Sequence, residues 1–318
     1  MRNQDLYIEK DIESFISFQI SLGHKRISYE ASLCSFAKFM QENYPKAKNI
    51  TRTMIIQYFE QETGELSRKA SVLRLFTRYL NAIGKSAYEV PEDLYNTPHV
   101  NAPYIFSDKE LHNLFLEIDS LQEARDGWFS TVAQVMFRLI YTCGLRPKEA
   151  RELKRNCINF ETGEILIEKS KNKKDRIVVM SDDMLNFCRI FDQKRRDAMI
   201  HSDFFFSKSN GKLYDESYIN DVFKACWYKA AGVPESEKRK YKNIRVYCLR
   251  HRFATAVIHK WISQGIDLRN KLPYLQEYMG HNRLTDTFYY VHLLPENLVK
   301  SAGIDWESFD ALIPEVTR

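Results

Sequence analysis

The segment MGHNRLTDTFYYVH, residues 279–292, is the stretch from which the fold and the site of this chain can be recognised. It holds two histidines, His281 and His292, and two adjacent tyrosines, Tyr289 and Tyr290. Both residue types donate and accept hydrogen bonds, and histidine also exchanges protons near neutral pH. Because neighbouring residues of a helix point about 100° apart, only one of the two tyrosines can enter a given site.

Composition limits the classes of protein to which this chain can belong. With 318 residues, 44% of them hydrophobic and 28% charged, it can form one large or two ordinary domains with cores of their own. No apolar run approaches the roughly 20 residues of a membrane span, and residues 1–6 lack the apolar centre of a signal peptide. We therefore expect a cytoplasmic protein without a membrane partner.

The six cysteines are scattered along the chain, without a C-x-x-C pair or a cluster of metal-ligating residues. This spacing favours buried thiols in a reducing compartment and predicts no metal site. The formal net charge is +5, which permits binding to nucleic acid without requiring it. The local distribution of the cations is therefore more informative than their total.

Residues 1–95 indicate a helical domain. Apolar residues recur at helical spacing between residues 7 and 62, and a further helix is predicted from Ser67 to about Ile83, before Gly84. That last helix carries cations and no acidic residue; the cations are Arg68, Lys69, Arg74 and Arg78. Such a face is either ordinary solvated surface or a means of gripping a DNA phosphate backbone. Residues 96–106, which contain two prolines, predict a linker.

Residues 107–294 indicate a second domain. Ser107–Glu110 is typical of a capping box that opens a helix, and a long apolar helix is predicted from about Trp128 to Thr142. The strands that follow are expected to form a three-stranded antiparallel meander: Ile158–Phe160, Ile165–Glu168 and Arg176–Met180. Helices are then predicted at about 215–231, 249–264, 272–279 and 285–292.

The tail, residues 295–318, is acidic and carries several apolar side chains. Two interpretations of these apolar positions remain open. They would pack either on their own domain or on a neighbouring protomer.

Two clusters of cations occur in predicted turns and loops of the second domain. The turn between the last two strands holds Lys171, Lys173, Lys174 and Arg176, and the loop before Arg250 holds Lys238, Arg239, Lys240 and Lys242. A run of charge is usually solvated surface. Two runs that flank one candidate site favour contact with DNA instead.

Four features, in this order along the chain, resemble the tyrosine recombinases, the phage-integrase family. The segment CGLRPKE, residues 143–149, is similar to that family's T-G-L-R-x-x-E, and LRHRFAT, residues 249–255, is similar to its L-R-H-x-F-A-T. The segment MGH, residues 279–281, is similar to its L-G-H, and Tyr290 stands nine residues beyond His281, where the family places its nucleophile. The basic turn SKNKKDR, residues 170–176, resembles the family's G-K-G-x-K-x-R.

This resemblance implies a mainly α fold with a small antiparallel sheet, in which a helical, SAM-like core-binding domain precedes an α+β catalytic domain. The N-terminal helices resemble the core-binding domain by position and pattern only. The resemblance implies double-stranded DNA as the partner, a homo-tetramer in the synaptic complex, a monomer away from DNA, and no cofactor. It also implies a nucleoid-associated enzyme of site-specific recombination, acting in integration, excision or transposition through a 3′-phosphotyrosyl intermediate.

The site residues implied by the resemblance suit cleavage of a phosphodiester without a metal. Tyr290 is the expected nucleophile, and Arg146 and Arg250 are expected to hold the phosphate, because a guanidinium stays charged and can engage two phosphate oxygens. His281 can donate a hydrogen bond to the same phosphate. No cluster of acidic residues suited to Mg²⁺ is evident in the sequence, so we expect the cations to be side chains.

Two further roles follow from the same resemblance. Lys171 is the expected general acid for the leaving 5′-oxygen, with Lys169 and Lys173 as close rivals. Glu149, about one helical turn after Arg146, is expected to orient that arginine.

Two departures from the family pattern affect the expected chemistry. The family usually has histidine three residues before its second arginine, and here that position is Tyr247, a poorer proton acceptor at neutral pH. The segment 261–278 also makes the path from Arg250 to His281 longer than in many relatives. We assign Tyr289 to packing, and we leave His251 and His292 structural or secondary.

Two alternative functions remain open at this point. Tyr247 is compatible with a DNA-binding protein of weak or no cleavage activity. A type IB topoisomerase would relax supercoils without a specific site, but the small size and the separate helical domain favour a recombinase. The two departures favour an integrase of a mobile element over a housekeeping resolvase.

Overall fold

The computed structural model describes residues 8–95, 103–121, 128–168 and 175–294. The chain divides into two compact units, Met1–Val100 and Asn101–Arg318, and is mostly helical. Three of the lysines predicted in the basic turn, Lys171, Lys173 and Lys174, and the tail 295–318 lie outside the described residues. Within the described ranges, no helix combines the length and the apolar character needed to cross a bilayer.

The first unit is built from helices around one apolar core. Phe15, Phe36 and Phe76 are completely buried in it, and the rings of Phe15 and Phe76 meet edge to face at 5.5 Å. Its helices are α1 (Ile8–Ser21), α2 (Glu30–Asn43), α3 (Arg52–Gln61) and α4 (Leu66–Ala82). The apolar spacing of the sequence predicted helices in this region, and the structure confirms them; α4 lies within one residue of its predicted bounds, Ser67 and Ile83.

The second unit contains the remaining helices and a small sheet. Its helices are α5 (Asp108–Asp119), α6 (Phe129–Cys143), α7 (Pro147–Arg151), α8 (Asp182–Asp197), α9 (Glu216–Ala230), α10 (Tyr247–Ser263), α11 (Leu268–Met279) and α12 (Leu284–His292). As its composition predicted, α6 is central and packs against α5, α7, α8 and α10. The capping box at the start of α5 is confirmed, since the Ser107 hydroxyl and the Glu110 carboxylate each accept the other residue's backbone N–H.

The sheet corrects the expected three-stranded meander. The described residues form two antiparallel strands, β1 (Glu164–Ile167) and β2 (Arg176–Val179). The segment predicted as a third strand, Ile158–Phe160, contributes one isolated bridge, from Ile158 to Ile165, because the chain turns at residues 160–162. Only Ile158, the first residue of that segment, therefore forms a bridge to β1.

Helices α7 and α8 are absent from the sequence prediction, and α8 is the longer of the two. Two charged residues, Asp192 and Arg195, interrupt its apolar pattern, yet both are buried, with 3.6 Å between Oδ1 and Nη1. The pair allows two polar side chains to face the core. Two other helices begin earlier than predicted: α10 begins at Tyr247, where the prediction was about 249, and α11 begins at Leu268, where it was about 272.

Candidate active site

The first predicted arginine, Arg146, lies between two helices of the second unit. Helix α6 ends at Gly144, whose φ of 63° is the left-handed conformation that glycine adopts without strain. The chain then turns into α7, with Arg146 extended at its N-cap. The backbone N–H of Arg146 donates to Oε2 of Glu149 at 2.8 Å, and Nη1 donates to Oε1 at 2.7 Å. Nη2 donates to the carbonyl of Gly280.

The second predicted arginine, Arg250, is completely buried in α10. Its Nη1 donates to the carbonyl of Gly144 at 2.7 Å, and its Nη2 donates to the carbonyl of Met279 at 2.6 Å. One guanidinium therefore ties together the C-terminal ends of α6 and α11. Among the residues that the structure describes, no hydrogen-bond partner is found for Nε of Arg250.

Three guanidinium groups share the single carboxylate of Glu149. Arg176 binds it with both terminal nitrogens, at 2.9 and 2.7 Å, Arg146 binds it at 2.7 Å, and Nη1 of Arg250 lies 3.9 Å from it. Burial alone would raise the pKa of Glu149, but the hydrogen bonds and charges of Arg176 and Arg146 lower it to about 2. The carboxylate is therefore ionised at neutral pH, and this part of the site carries more positive than negative charge.

Helix α12 brings Tyr290 beside His281. Tyr290 is only 3% exposed, and its hydroxyl lies 3.1 Å from Nδ1 of His251. The ring of His281 stacks on the ring of Tyr290, with 6.0 Å between centroids and 15° between planes. Burial raises the pKa of the Tyr290 hydroxyl, while the charge of Arg250 acts in the opposite direction.

Both ring nitrogens of His281 have partners. Nδ1 lies 2.8 Å from the hydroxyl of Thr287, and Nε2 lies 3.2 Å from Nη2 of Arg250. Because arginine can only donate, Nε2 accepts and Nδ1 carries the hydrogen toward Thr287. Burial, and after it the charges of Arg250 and Arg146, lower the pKa of His281 to about 3. His281 is therefore a neutral imidazole at neutral pH.

Comparison with known proteins places this arrangement in a family. The family model described as the phage integrase family matches residues 114–297, which is more than half of the chain. This chain belongs to the phage integrase family. Family members act in site-specific DNA recombination.

Individual relatives are distant but cover almost the whole chain. A tyrosine recombinase of Pseudothermotoga lettingae is 26% identical over 96% of this chain and 98% of its own length. The crystal structure of the XerH site-specific recombinase bound to a palindromic difH substrate is similar with a TM-score of 0.66. It is 22% identical and covers 89% of this chain and 80% of that chain. The crystal structure of a lambda integrase tetramer bound to a Holliday junction has a TM-score of 0.62 at 14% identity and covers 90% and 78% of the two chains. These structures show that the fold is shared.

In this family member, one cleft adjoins most of the predicted catalytic residues. Arg146, Tyr247, His281 and Tyr290 line it, and Arg250 and Glu149 lie directly behind. Tyr289, which was predicted to serve packing, is half-buried and lines the same cleft. No three His, Cys, Asp or Glu side chains in the described part of the chain are grouped to hold a metal ion.

Arg176 requires a correction. Its place in a basic turn predicted contact with DNA. In the structure its side chain is 9% exposed, pairs with Glu149, and donates from Nε to the carbonyl of Tyr278 at 2.8 Å. Arg176 therefore supports the site from behind and does not present its charge to solvent.

The cations of α4 also differ from the expected phosphate-binding face. Three of these cations form ion pairs with acidic residues that lie outside the predicted helix. The pairs are Arg68 with Glu65, Lys69 with Glu62, and Arg78 with Glu89 and Glu92. Arg74 donates to the carbonyls of Val90 and Pro91 and is half-buried. Lys69 and Arg74 are therefore committed to contacts within the first unit, whereas Arg68 and Arg78 remain exposed.

The basic cluster before Arg250 lies on a 3-10 helix, Glu235–Tyr241, and just after it. Lys238 and Lys240 pair with nearby glutamates, while Arg239, Lys240 and Lys242 are exposed. The guanidinium of Arg245 lies 5.8 Å from the centre of the Tyr247 ring, and so connects this cluster to the edge of the cleft.

Two residues of the site were not identified from the sequence. Thr287 orients His281, and His251 contacts Tyr290. Thr287 carries no signal beyond its place one helical turn before Tyr290. His251 follows Arg250 within the L-R-H segment, but only the fold shows that it faces α12.

Proposed function

We propose that this protein is a site-specific DNA recombinase that cleaves and rejoins DNA through a covalent bond between Tyr290 and a 3′-phosphate. The observation that supports this most strongly is the sharing of one carboxylate by three guanidinium groups beside a tyrosine hydroxyl. A buried excess of positive charge favours an anion, and guanidinium groups match the geometry of phosphate oxygens.

In the proposed reaction, the Tyr290 oxygen attacks phosphorus, a bond to phosphorus forms, and the bond from phosphorus to the 5′-oxygen breaks. Arg146 and Arg250 stabilise the extra negative charge of the transition state, an effect worth roughly 3–4 kcal/mol for one donor. The leaving 5′-oxygen takes a proton from a general acid, for which we propose Lys171. The phosphotyrosyl bond preserves the energy of the original bond, so a DNA 5′-hydroxyl can reverse the step.

His281 is proposed to donate a hydrogen bond to the phosphate. In the described structure its Nε2 accepts from Arg250. When Arg250 turns to a phosphate, Nε2 is free to carry the hydrogen, and the Thr287 hydroxyl can donate to Nδ1 instead of accepting from it. Thr287 thus permits either neutral tautomer of His281.

The described conformation is proposed to be a closed resting state. Tyr290 is 3% exposed and Arg250 is 0% exposed, so a phosphate in the adjoining cleft reaches them only after covering side chains move. Tyr289 and Asp286 also line that cleft. Movement of these two side chains when DNA binds would open the path and leave α12 packed on α10.

We further propose that residues 1–95 form a core-binding domain, 96–106 a linker and 107–294 a catalytic domain, which together enclose double-stranded DNA. Arg239, Lys240 and Lys242 are exposed and suit contact with phosphates. A tetramer is proposed for the synaptic complex, supported by the fold shared with the lambda integrase tetramer on a Holliday junction. Integration or transposition of a mobile element, at the nucleoid, is the proposed role.

The proposal is tested with a pool of nicked duplex oligonucleotides of randomised sequence, in which release of a short fragment traps the covalent intermediate. In buffer with EDTA, the wild-type protein is expected to retain DNA on a denaturing gel, and Tyr290→Phe is expected to retain none. Absence of any adduct would favour the alternative of a DNA-binding protein without cleavage. A strict requirement for Mg²⁺ would contradict the proposed mechanism.

A further inference from the structure

We propose that His251 is a catalytic residue of strand cleavage, whose Nδ1 accepts the proton that the Tyr290 hydroxyl loses as it attacks phosphorus. This inference rests on the proposed function, since it assigns the base for the same reaction.

The contact between the two side chains is direct. Nδ1 of His251 lies 3.1 Å from the Tyr290 hydroxyl, and the ring centroids are 5.6 Å apart with 49° between planes. Both side chains are buried, at 9% and 3% exposure, so water does not compete freely for the hydrogen bond. The arrangement already holds a proton donor and a proton acceptor at the distance that general base catalysis needs.

The other groups around the hydroxyl cannot readily take its proton. Both ring nitrogens of His281 are engaged, one by Thr287 and one by Arg250. The arginines of the site have no acceptor atom. Tyr247, at the position where the family usually has histidine, makes its ring contact with His251, 4.8 Å between centroids, and is a poorer proton acceptor than histidine. His251 is therefore the base that the fold places at the reacting atom.

The electrostatic surroundings keep the His251 ring unprotonated but lower its proton affinity. Burial, and then the charges of Arg245 and Arg250, lower the pKa of His251 to about 4. The ring is therefore neutral at neutral pH and free to accept a proton. A bound phosphodiester would bring negative charge that opposes those two cations and raises the proton affinity of the imidazole.

The step balances without a further reactant. The bond between Tyr290 Oη and phosphorus forms while the hydroxyl proton moves to Nδ1, and the leaving 5′-oxygen is protonated by a separate acid. In the reverse step a DNA 5′-hydroxyl attacks, its proton returns to that acid's conjugate base, and His251 returns the first proton to the tyrosine oxygen.

The test compares His251→Ala, His251→Asn and wild type by the rate of covalent adduct formation on a duplex selected from the nicked pool. Both variants are expected to be slower on the order of 10²–10⁴-fold, the usual contribution of a general base. The amide oxygen of asparagine can accept a hydrogen bond near the position of Nδ1 but cannot hold the proton. Restoration of the wild-type rate by His251→Asn would therefore overturn the proposal in favour of a positioning role.

A second substrate separates the base from the acid. In a duplex with sulfur at the 5′-bridging position, the leaving thiolate needs no proton, so a variant that lacks the general acid is rescued. His251→Ala is expected to remain slow on this substrate. Rescue by sulfur would place His251 on the leaving-group side and would overturn the assignment.

Controls keep this result distinct from failure of the proposed function. His259→Ala changes an exposed histidine of the same helix and is expected to keep the wild-type rate. Thermal unfolding of each variant verifies that it is folded, and His251→Asn serves if the alanine variant does not fold. Two results would overturn the assignment of His251 and leave the proposed function intact. In the first, wild type forms the adduct and both His251 variants form it at the same rate. In the second, Tyr247→Phe lowers that rate more than His251→Ala does. If wild type forms no adduct, the proposed function itself fails.

Discussion

At the scale of single residues, the carboxylate of Glu149 organises the charge of the site. It fixes Arg146 and Arg176 by hydrogen bonds of 2.7–2.9 Å and lies 3.9 Å from Arg250. One negative charge thus offsets the mutual repulsion of three positive groups that lie close together. Arg176 has two contacts with that carboxylate and is the clearest place to test this arrangement.

Arg176→Ala should destabilise the folded protein. Loss of one partner of a buried, hydrogen-bonded ion pair typically costs about 3–5 kcal/mol of unfolding free energy, and Arg176→Lys should cost less because one charge remains. Urea unfolding measures both. Lys154→Ala is the matched control, since its pair with Glu168 is nearly half exposed and should be worth about 0–1 kcal/mol. Unchanged stability of Arg176→Ala, with weaker DNA binding, would support the original surface assignment instead.

The sequence was a good guide to which residues matter and a poor guide to how they are held. The motifs singled out Arg146, Arg250, His281 and Tyr290, and the fold brings all four together. Arg176 could not be separated from its basic turn, because a run of cations carries no information about burial. The contact of His251 with Tyr290 depends on the packing of α10 against α12, which no local pattern encodes.

At the scale of elements, the end of α6 determines where Arg146 and Arg250 meet. Gly144 has a φ of 63°, and its carbonyl accepts from Nη1 of Arg250 at 2.7 Å. A Cβ at this position would lie 2.4 Å from the Phe253 ring, which is well inside contact distance. The turn therefore has no room for a side chain.

Gly144→Ala should lower both stability and the cleavage rate. The left-handed backbone should cost about 1–2 kcal/mol, and the overlap with Phe253 a further ~1–3 kcal/mol. Gly265→Ala is the control, because Gly265 has a φ of 68° and open space around the added Cβ, so only the backbone cost applies. Chemical denaturation and adduct assays compare the two variants. Equal losses would show that the packing at Gly144 has no special effect.

Elements with strong local signals were predicted well. The capping box at Ser107 and the apolar spacing of the sequence located helices in these regions. Helix α8 was missed because its buried Asp192 and Arg195 resemble surface residues when read without their partner. The prediction of a third strand was wrong because the chain turns at residues 160–162, directly after Ile158 and Asn159.

At the scale of the whole molecule, two buried histidines couple stability to pH. Burial first, and then neighbouring arginines, lower the pKa of His251 to about 4 and that of His281 to about 3 from an ordinary value of 6.5. The groups that face them are Arg245 and Arg250 for His251, and Arg250, Arg146, Arg176 and His251 for His281. As the pH falls, these two histidines therefore bind protons more readily in the unfolded chain than in the folded one.

The free energy of unfolding should accordingly fall as the pH drops below about 6.5, and the loss from these groups is complete only near pH 3. Each histidine contributes at most about 1.4 kcal/mol per pH unit in that window. Urea midpoints at pH 7 and pH 5 measure the effect, with the double variant His251→Asn, His281→Asn as control. The difference between wild type and that variant should shrink at pH 5, and a constant difference would contradict the lowered pKa values.

Covalent attachment of Tyr290 to DNA can be tested by mass spectrometry of the trapped adduct after proteolysis and nuclease digestion. Tyr289 is the internal comparison, because it adjoins Tyr290 in the chain and lines the same cleft. The nucleotide remnant is predicted on Tyr290, linked through a 3′-phosphate. A remnant on Tyr289 or on any other residue, or one linked through a 5′-phosphate, would contradict the account.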